Sequence, residues 1–365
     1  MKKIRLGIIF GGKSPEHEIS LQSAKNILSA LDQEKYEPIL IGIDKTGRWY
    51  RIHSSEALLG GDLKKMPLNP SGEELALIPG LDSSQLIHLA DRSNPEQIDV
   101  AFPVLHGTYG EDGTVQGMLK LANIPFVGAS VLGSAVGMDK DVTKRLLKSD
   151  GIPVADFRTF GYGEQNTIDF EEISEKLGMP VFVKPANMGS SVGVSKAYDR
   201  EGLEAAVHKA FQYDTKIIIE ENISGRELEC SVLGNENPIA SLPGEILPRM
   251  EFYTYEAKYM DENGAVLEIP ARLSGPETER IRDCALRAYR SLCCEGMARV
   301  DLFQKENGEI VVNEINTIPG FTRISMYPKL WEVSGLSCNE LIDRLIGLAL
   351  ERFKREQALK TNVEI

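Results

Sequence analysis

No long apolar run is present: nothing in the 365 residues approaches the roughly 20 needed to span a membrane, so no membrane partner is expected. A basic surplus is missing too. Lys and Arg number 41 against 54 Asp and Glu, a formal net charge of −13, which argues against nonspecific nucleic-acid binding. Any phosphate recognised must then belong to a small ligand held by a few placed lysines. Cysteines are sparse, namely Cys230, Cys284, Cys293, Cys294 and Cys338, an odd number without zinc-type spacing. They read as reduced packing thiols of a cytoplasmic protein. The opening Met1-Lys-Lys-Ile-Arg-Leu-Gly-Ile-Ile-Phe imitates a signal peptide, but its apolar run is short and broken by Gly11-Gly12, so it reads better as a buried strand. Two nucleotide signatures are also absent. Gly11-Gly12 lacks the GxGxxG spacing, and no Gly-Lys-Ser/Thr ending marks a P-loop.

What is present is an ordinary globular composition, 42% hydrophobic and 26% charged, in a chain long enough for two or three domains. The most informative stretch is Arg299-Val-Asp301-Leu-Phe followed by Glu314-Ile-Asn316-Thr-Ile-Pro-Gly320. Period-2 alternation puts Arg299 with Asp301, and Glu314 with Asn316, on one strand face each. The polar Gln304–Glu309 turn carries Asn-Gly, a strong hairpin signal, so the strands are expected to pair. One face then gathers two carboxylates, a carboxamide and an arginine. Hard oxygen donors of this kind suit Mg²⁺ shared with substrate phosphates, although an exposed hairpin ion pair is an equal reading of the cluster alone.

In chain order, Ile4–Phe10, a helix over 19–31 and a strand over 36–43 form a βαβ unit, with Val100–Leu105 and Ile124–Gly128 as further strands. The span 46–94 reads as peripheral structure without visible chemistry. A new unit starts near Gly133. Asp139-Lys140-Asp141 opens a helix through Lys148, and two strands flank Asn187-Met-Gly189-Ser190-Ser191-Val-Gly193, whose amides and hydroxyls suit phosphate oxygens as well as a plain flexible hairpin. Lys216–Ile223 is a buried strand ending in acceptors. If it lines an apolar slot, backbone groups of Glu221 and Ile223 suit an adenine edge and Glu227 suits ribose hydroxyls; solvated strand-end charge is the alternative. Tyr253–Tyr259 lies in a long Gly/Pro-punctuated stretch that suits a lid. Gly275–Ser291 is an amphipathic helix, and Asn339 to about Lys360 a closing one.

Six runs carry a resemblance: Gly11-Gly-Lys-Ser-Pro-Glu-His-Glu-Ile-Ser20, His106-Gly-Thr-Tyr-Gly-Glu-Asp-Gly113, Met138-Asp-Lys140, Lys184-Pro-Ala-Asn-Met-Gly-Ser-Ser-Val-Gly193, Tyr253–Tyr259, and the Arg299–Gly320 hairpin. In this order, over nearly the whole chain, the sequence resembles the ATP-grasp carboxylate–amine ligases and, within them, the D-alanine–D-alanine ligase family. The resemblance implies an α/β fold of the ATP-grasp kind: a Rossmann-like N-terminal domain (1–132), a central ATP-grasp subdomain (133–222) and a C-terminal one (223–365) with a lid over about 245–265. It implies ATP between two sheets, within reach of Lys140, Lys184, Ser190, Ser191, Glu220, Glu221, Asn222, Ile223, Glu227, Lys258, Asn313 and Glu314. Asp301, Glu314 and Asn316 match ligands of two Mg²⁺ ions, for which Mn²⁺ can substitute. Glu16 matches the anchor of the first D-alanine's ammonium, with His106 nearby. Ser325, with Met326 beside it, matches the group holding the second substrate's carboxylate. Arg299 and the Gly320 amide face the developing oxyanion, and Ser190 and Tyr259 link to Glu16. Tyr259 favours an amine over a hydroxy-acid acceptor, with D-serine remaining as an alternative second substrate. A regulatory nucleotide binder would be expected to have lost Arg299 or an acidic ligand, and neither is lost. The family implies a cytoplasmic homodimer making a precursor of peptidoglycan.

Overall fold

The computed structural model describes residues 2–53, 55–60, 73–80, 85–93, 97–248 and 265–360. Three sheets organise the chain. The first runs in the order Leu86–His88, Glu74–Leu77, Trp49–Ile52, Tyr36–Ile43, Ile4–Gly11, Val100–Val104. Its centre is parallel, as a βαβ unit requires, and the continuous apolar strand Ile4–Gly11 is covered on both faces. The edge strands come from the span read as peripheral; at three or four residues each, they are too short to show a period. Ile124–Gly128 does not form the expected strand. Only Phe126 bridges to Ala101, since Pro125 has no N–H to extend the ladder and contributes its carbonyl alone.

The second sheet, Phe157–Gly161, Lys216–Glu221, Val181–Pro185, Ser195–Ala197, is antiparallel. Alternation sends Val181 and Val183 into a core with Leu203, Val207, Ile217 and Ile219, while Phe182 and Lys184 face a cavity. The third sheet contains Ala265–Glu268, Gly244–Pro248, Gly225–Leu233, Met297–Lys305 and Ile310–Asn316. The helix Gly275–Ser291, opened by a Ser274/Glu277 capping box, covers one face with Ile281, Ala285 and Tyr289 against Leu228, Val232 and Val300. Glu227 and Glu229 therefore point to the opposite face, toward the second sheet.

The chain then returns to its beginning. Leu341, Leu345 and Ile346 of the helix Cys338–Gln357 pack in one core with Leu6, Ile8, Phe10 and Phe102. Arg352 donates to the carbonyls of Phe126 (2.7 Å) and Gly128 (2.6 Å), and Asn26 Nδ2 to Phe321 O (2.9 Å). The Arg352 bonds fix the closing helix to the 126–128 segment, and the Asn26 bond fixes the loop after Asn316 to the helix that follows the first strand. All five cysteines are free, and burial pushes the Cys230 thiol up to about 12 and that of Cys284 to about 11, as packing thiols should behave. No helix among the described residues is long and apolar enough to cross a membrane.

Candidate active site

Two adjoining cavities, of about 400 and 350 Å³, meet at Ser190, Ile246 and Glu314. The larger lies between the second and third sheets. Its wall includes Lys140, Lys184, Ser190, Ser191, Glu220, Glu221, Asn222, Ile223, Glu227, Asn313 and Glu314, so every residue expected at a nucleotide is gathered there except Lys258. Lys258 and Tyr259 lie outside the described residues, as does most of the expected lid.

A row of alternating charge underlies this cavity. Glu220 accepts a hydrogen bond from Lys184, and its other oxygen is 3.1 Å from the ammonium of Lys144, an ion pair whose angles fall short of a hydrogen bond. Lys144 is 1% exposed. Burial would raise the Glu220 carboxyl, but Lys144 and Lys184 outweigh it and hold it at about 2. Burial, together with the like charge of Lys184, lowers Lys144. Above the row, Ser190 (φ +51°) and Ser191 (φ +59°) both sit in the left-handed region, a conformation sequence alone would assign to glycine. Both serines line the larger cavity, and the loop closes on itself through Val192 N to Gly189 O (3.1 Å) and Val194 N to Ser191 O (3.2 Å). Lys140, on the helix capped by Asp139, donates to Met188 O (2.7 Å) beneath the loop and lies 3.7 Å from Glu314.

The smaller cavity joins all three regions: Glu16, His106, Glu111, Ser190, Glu229, Arg299, Asn316, Gly320, Ser325 and Met326 line it. Glu16 precedes the helix His17–Ala30 and accepts the Ser190 hydroxyl, tying the loop of the second sheet to the first domain. Gly107 (φ +75°) passes close by; a Cβ there would stand 2.7 Å from Glu16 Oε2. His106 Nδ1 faces the Ile318 carbonyl at 3.0 Å and therefore carries the proton, leaving Nε2 to accept from Ser23 Oγ at 3.1 Å. The Phe321 amide donates to the same hydroxyl, 3.2 Å away. Burial pushes His106 down, against the pull of Glu16, and keeps it neutral. Burial also raises Glu111, reinforced by Glu16, to about 8. Ser325 stands at the N-terminus of the helix Met326–Val333, its Oγ accepting the Thr322 amide at 2.9 Å.

The hairpin pairs as alternation predicts, Arg299 opposite Asn316 and Asp301 opposite Glu314. Arg299 grips Asp301 through two 2.7 Å bonds and approaches Glu229 at 3.0 Å; Asn316 Nδ2 also reaches Asp301, at 3.2 Å. A bulge follows Asp301, which skips Asn313 in the ladder and lets Asn313 and Glu314 both edge the larger cavity. Among the described residues no three His, Cys, Asp or Glu side chains cluster as a protein-only metal site. Two facing carboxylates plus a carboxamide nevertheless fit Mg²⁺, which takes few protein oxygens where phosphates complete its shell. Asp301 itself lies behind Arg299, outside both cavity walls. The sequence reading gave no role to Glu111, Lys144 or Glu229. The alternation of Glu227-Leu-Glu229 was the available signal for the last, and the i, i+4 spacing from Lys140 for Lys144.

Comparison with known proteins agrees in extent. The family described as D-ala D-ala ligase N-terminus matches residues 5–129, and that described as D-ala D-ala ligase C-terminus matches 146–347. The D-alanine–D-alanine ligase of Oceanobacillus iheyensis is 55% identical over 363 residues, covering 99% of each chain. Among solved structures, the D-alanine-D-alanine ligase from Coxiella burnetii superposes with a TM-score of 0.87 at 41% identity, covering 98% of this chain and 97% of that one. The D-Ala:D-Ser ligase VanG from Enterococcus faecalis gives 0.85 at 37% identity, covering 95% of this chain and 100% of that one. With family matches over both halves and relatives aligned end to end, the chain belongs to the D-alanine–D-alanine ligase family of ATP-grasp enzymes.

Proposed function

We propose that this chain joins two D-alanines to D-alanyl-D-alanine at the expense of ATP, through an acyl phosphate, to supply peptidoglycan synthesis. The carrying observation is that the phosphate-type cradle and the second cavity adjoin and share Ser190, Ile246 and Glu314 in their walls. A carboxylate activated in one is presented directly to an amine in the other. Joining a carboxylate to an amine in water needs that activation, and γ-phosphoryl transfer is mostly charge neutralisation and in-line positioning. Lys140 and Lys184 take the α/β-phosphates, Lys258 approaches the γ-phosphate, and the Ser190–Ser191 loop encloses it. Glu220, Glu221, Asn222, Ile223 and Glu227 hold the adenosine. Asp301, Glu314 and Asn316, with Asn313 alongside, would hold Mg²⁺, as two ions with Mn²⁺ able to replace them, and the metal would supply positive charge against the phosphates. Glu16 binds the first ammonium, with His106 nearby. The second amino acid lays its carboxylate on Ser325 and Met326 at a helix N-terminus, where backbone amides and the dipole favour an anion. Arg299 and the Gly320 amide then stabilise the tetrahedral oxyanion.

Tyr259, linked with Ser190 to Glu16, favours an amine as acceptor, and the lid over 245–265 excludes water from the acyl phosphate. The domain limits 1–132, 133–222 and 223–365, and cytoplasmic residence, belong to the same reading. So does a homodimer, for which the exposed Met118, Leu121 and Leu132 of neighbouring helices offer an apolar face. The test is ADP or phosphate release from ATP with Mg²⁺ and D-alanine alone, with the product identified by mass. Release coupled to an alanine dipeptide, absent with L-alanine, is expected. Release without dipeptide overturns the reading, and preference for mixed products when D-serine is added moves it to a D-serine acceptor.

A further inference from the structure

The ammonium of the second amino acid must lose a proton before its nitrogen can attack, and among the described residues the cavity wall offers five carboxylate or imidazole groups for the task. Four are already committed. Glu16 takes the Ser190 hydroxyl and faces the first ammonium. Glu229 is paired with Arg299 at 3.0 Å. Glu314 lies 3.7 Å from Lys140 and belongs to the proposed metal set. Both ring nitrogens of His106 are engaged, one by the Ile318 carbonyl and the other by Ser23. Glu111 remains. Its carboxylate accepts the Gly107 amide at 2.9 Å and is in no ion pair among the described residues, while it lines the same cavity as Arg299, Gly320 and Ser325.

We propose that Glu111 is the general base that takes the proton from the attacking ammonium, and this rests on the ligase reading above. One proton passes first to Glu111, which frees the nitrogen lone pair to bond to the acyl carbon. The acyl C–O bond breaks, phosphate departs with the electron pair, and it carries away the second nitrogen proton. Charge and atoms balance: a carboxylate, an ammonium and an acyl phosphate become a carboxylic acid, an amide and hydrogen phosphate. The charged and titratable groups facing Glu111 set its basicity in opposite senses. Glu16 opposes its ionisation, while Arg299 and the Gly107 and Ile318 amides favour it; neutral His106 lines the same cavity. The resulting value of about 8 suits a base working near neutral pH, where a usual carboxylate would be too weak.

Hydroxylamine separates this role from a structural one, because its nitrogen is unprotonated at neutral pH and attacks an acyl phosphate without a base. Wild-type dipeptide synthesis is measured first; its absence would overturn the ligase reading and leave no acceptor step to assign. With it established, Glu111→Gln, which keeps an oxygen for the Gly107 amide, is expected to lower kcat with D-alanine as acceptor by about a hundredfold or more, while hydroxamate formation from D-alanine, ATP and hydroxylamine stays within about threefold. Equal loss with both acceptors, or undiminished dipeptide synthesis, overturns the proposal. Should the variant fail to fold, the wild-type pH profiles decide. Dipeptide formation should climb through pH of about 8 and hydroxamate formation should not; matching profiles refute the role.

Discussion

Replacing Lys144 by methionine tests whether the buried charge row beneath the larger cavity sets the phosphate grip. The ammonium of Lys144 is sealed from water at 1% exposure and faces Glu220, itself 3% exposed, across 3.1 Å. Removing one member of a buried ion pair generally costs about 3–5 kcal/mol, because the other charge stays desolvated without its partner. Glu220 would keep Lys184, so the loss should fall near the low end, about 3 kcal/mol; methionine fills much of the vacated volume and adds little cavity penalty. A second effect reaches the function. With Lys144 gone, Lys184 becomes the sole ion-pair partner of Glu220 among the described residues and is drawn more firmly to it, so a phosphate must compete for it. Urea unfolding should show the stability loss, and steady-state kinetics a rise in KM for ATP with little change in KM for D-alanine. Adding Glu220→Gln removes the stranded charge, and the double variant should recover much of the stability, with a coupling energy of about 0.5–3 kcal/mol. A single-variant loss below about 1 kcal/mol, or equal changes in both KM values, would refute the reasoning.

Other perturbations address separate parts of the site. Arg299→Ala should leave ATP binding nearly intact while ligation falls by the about 2.7–4 kcal/mol typical of a lost oxyanion donor; equal loss of both, by titration and turnover, would sink its assigned place. Gly107→Ala forces a left-handed residue, at about 1–2 kcal/mol, and brings a methyl to 2.7 Å from Glu16 Oε2, so KM for the first D-alanine should rise and that for ATP should not. Glu111 also shapes stability against pH. Its folded-state value lies above the ordinary carboxylate value, so the folded state binds the proton more tightly and stability falls as pH rises from about 4.5 to about 8. Glu111→Gln should remove that slope from urea midpoints, and an unchanged slope would show that Glu111 is not the group responsible.

The parts of the site legible in the sequence are those fixed by local periodicity. Alternation alone placed Arg299, Asp301, Glu314 and Asn316 on a common face, and Asn-Gly marked the turn between their strands; the structure pairs them across the ladder. The bulge that brings Asn313 beside Glu314 was not legible, because an extra residue in one strand is decided by packing on both faces of the sheet. Lys144 and Glu111 were hidden for a related reason. Each looks like an unremarkable charge in its own element, and its meaning comes from partners on other elements, Glu220 for one and Glu16 for the other. The return of the helix Cys338–Gln357 to the first sheet shows the same limit. Its apolar stripe is plain in the sequence, but only the fold says that the stripe covers Leu6, Ile8 and Phe102.

Glu220 and Glu111 are the same residue type, buried alike, yet one carboxyl is held at about 2 and the other at about 8. Burial pushes both upward, so the difference lies in their neighbours. Two lysine ammonium groups face Glu220, whereas Glu111 meets backbone amides, the repelling charge of Glu16 and only the opposing pull of Arg299. The distinction matches what each end of the site requires. A phosphate grip needs a fixed charge on Glu220 that keeps Lys184 in place, and a proton on Glu220 would release it. An acceptor subsite needs a group that can gain and lose a proton near neutral pH. Environments that drive like groups to opposite protonation are how a single fold separates charge stabilisation from proton transfer. On this basis, moving a cation beside Glu111, as in His106→Lys, should lower its basicity and slow dipeptide synthesis more than hydroxamate formation.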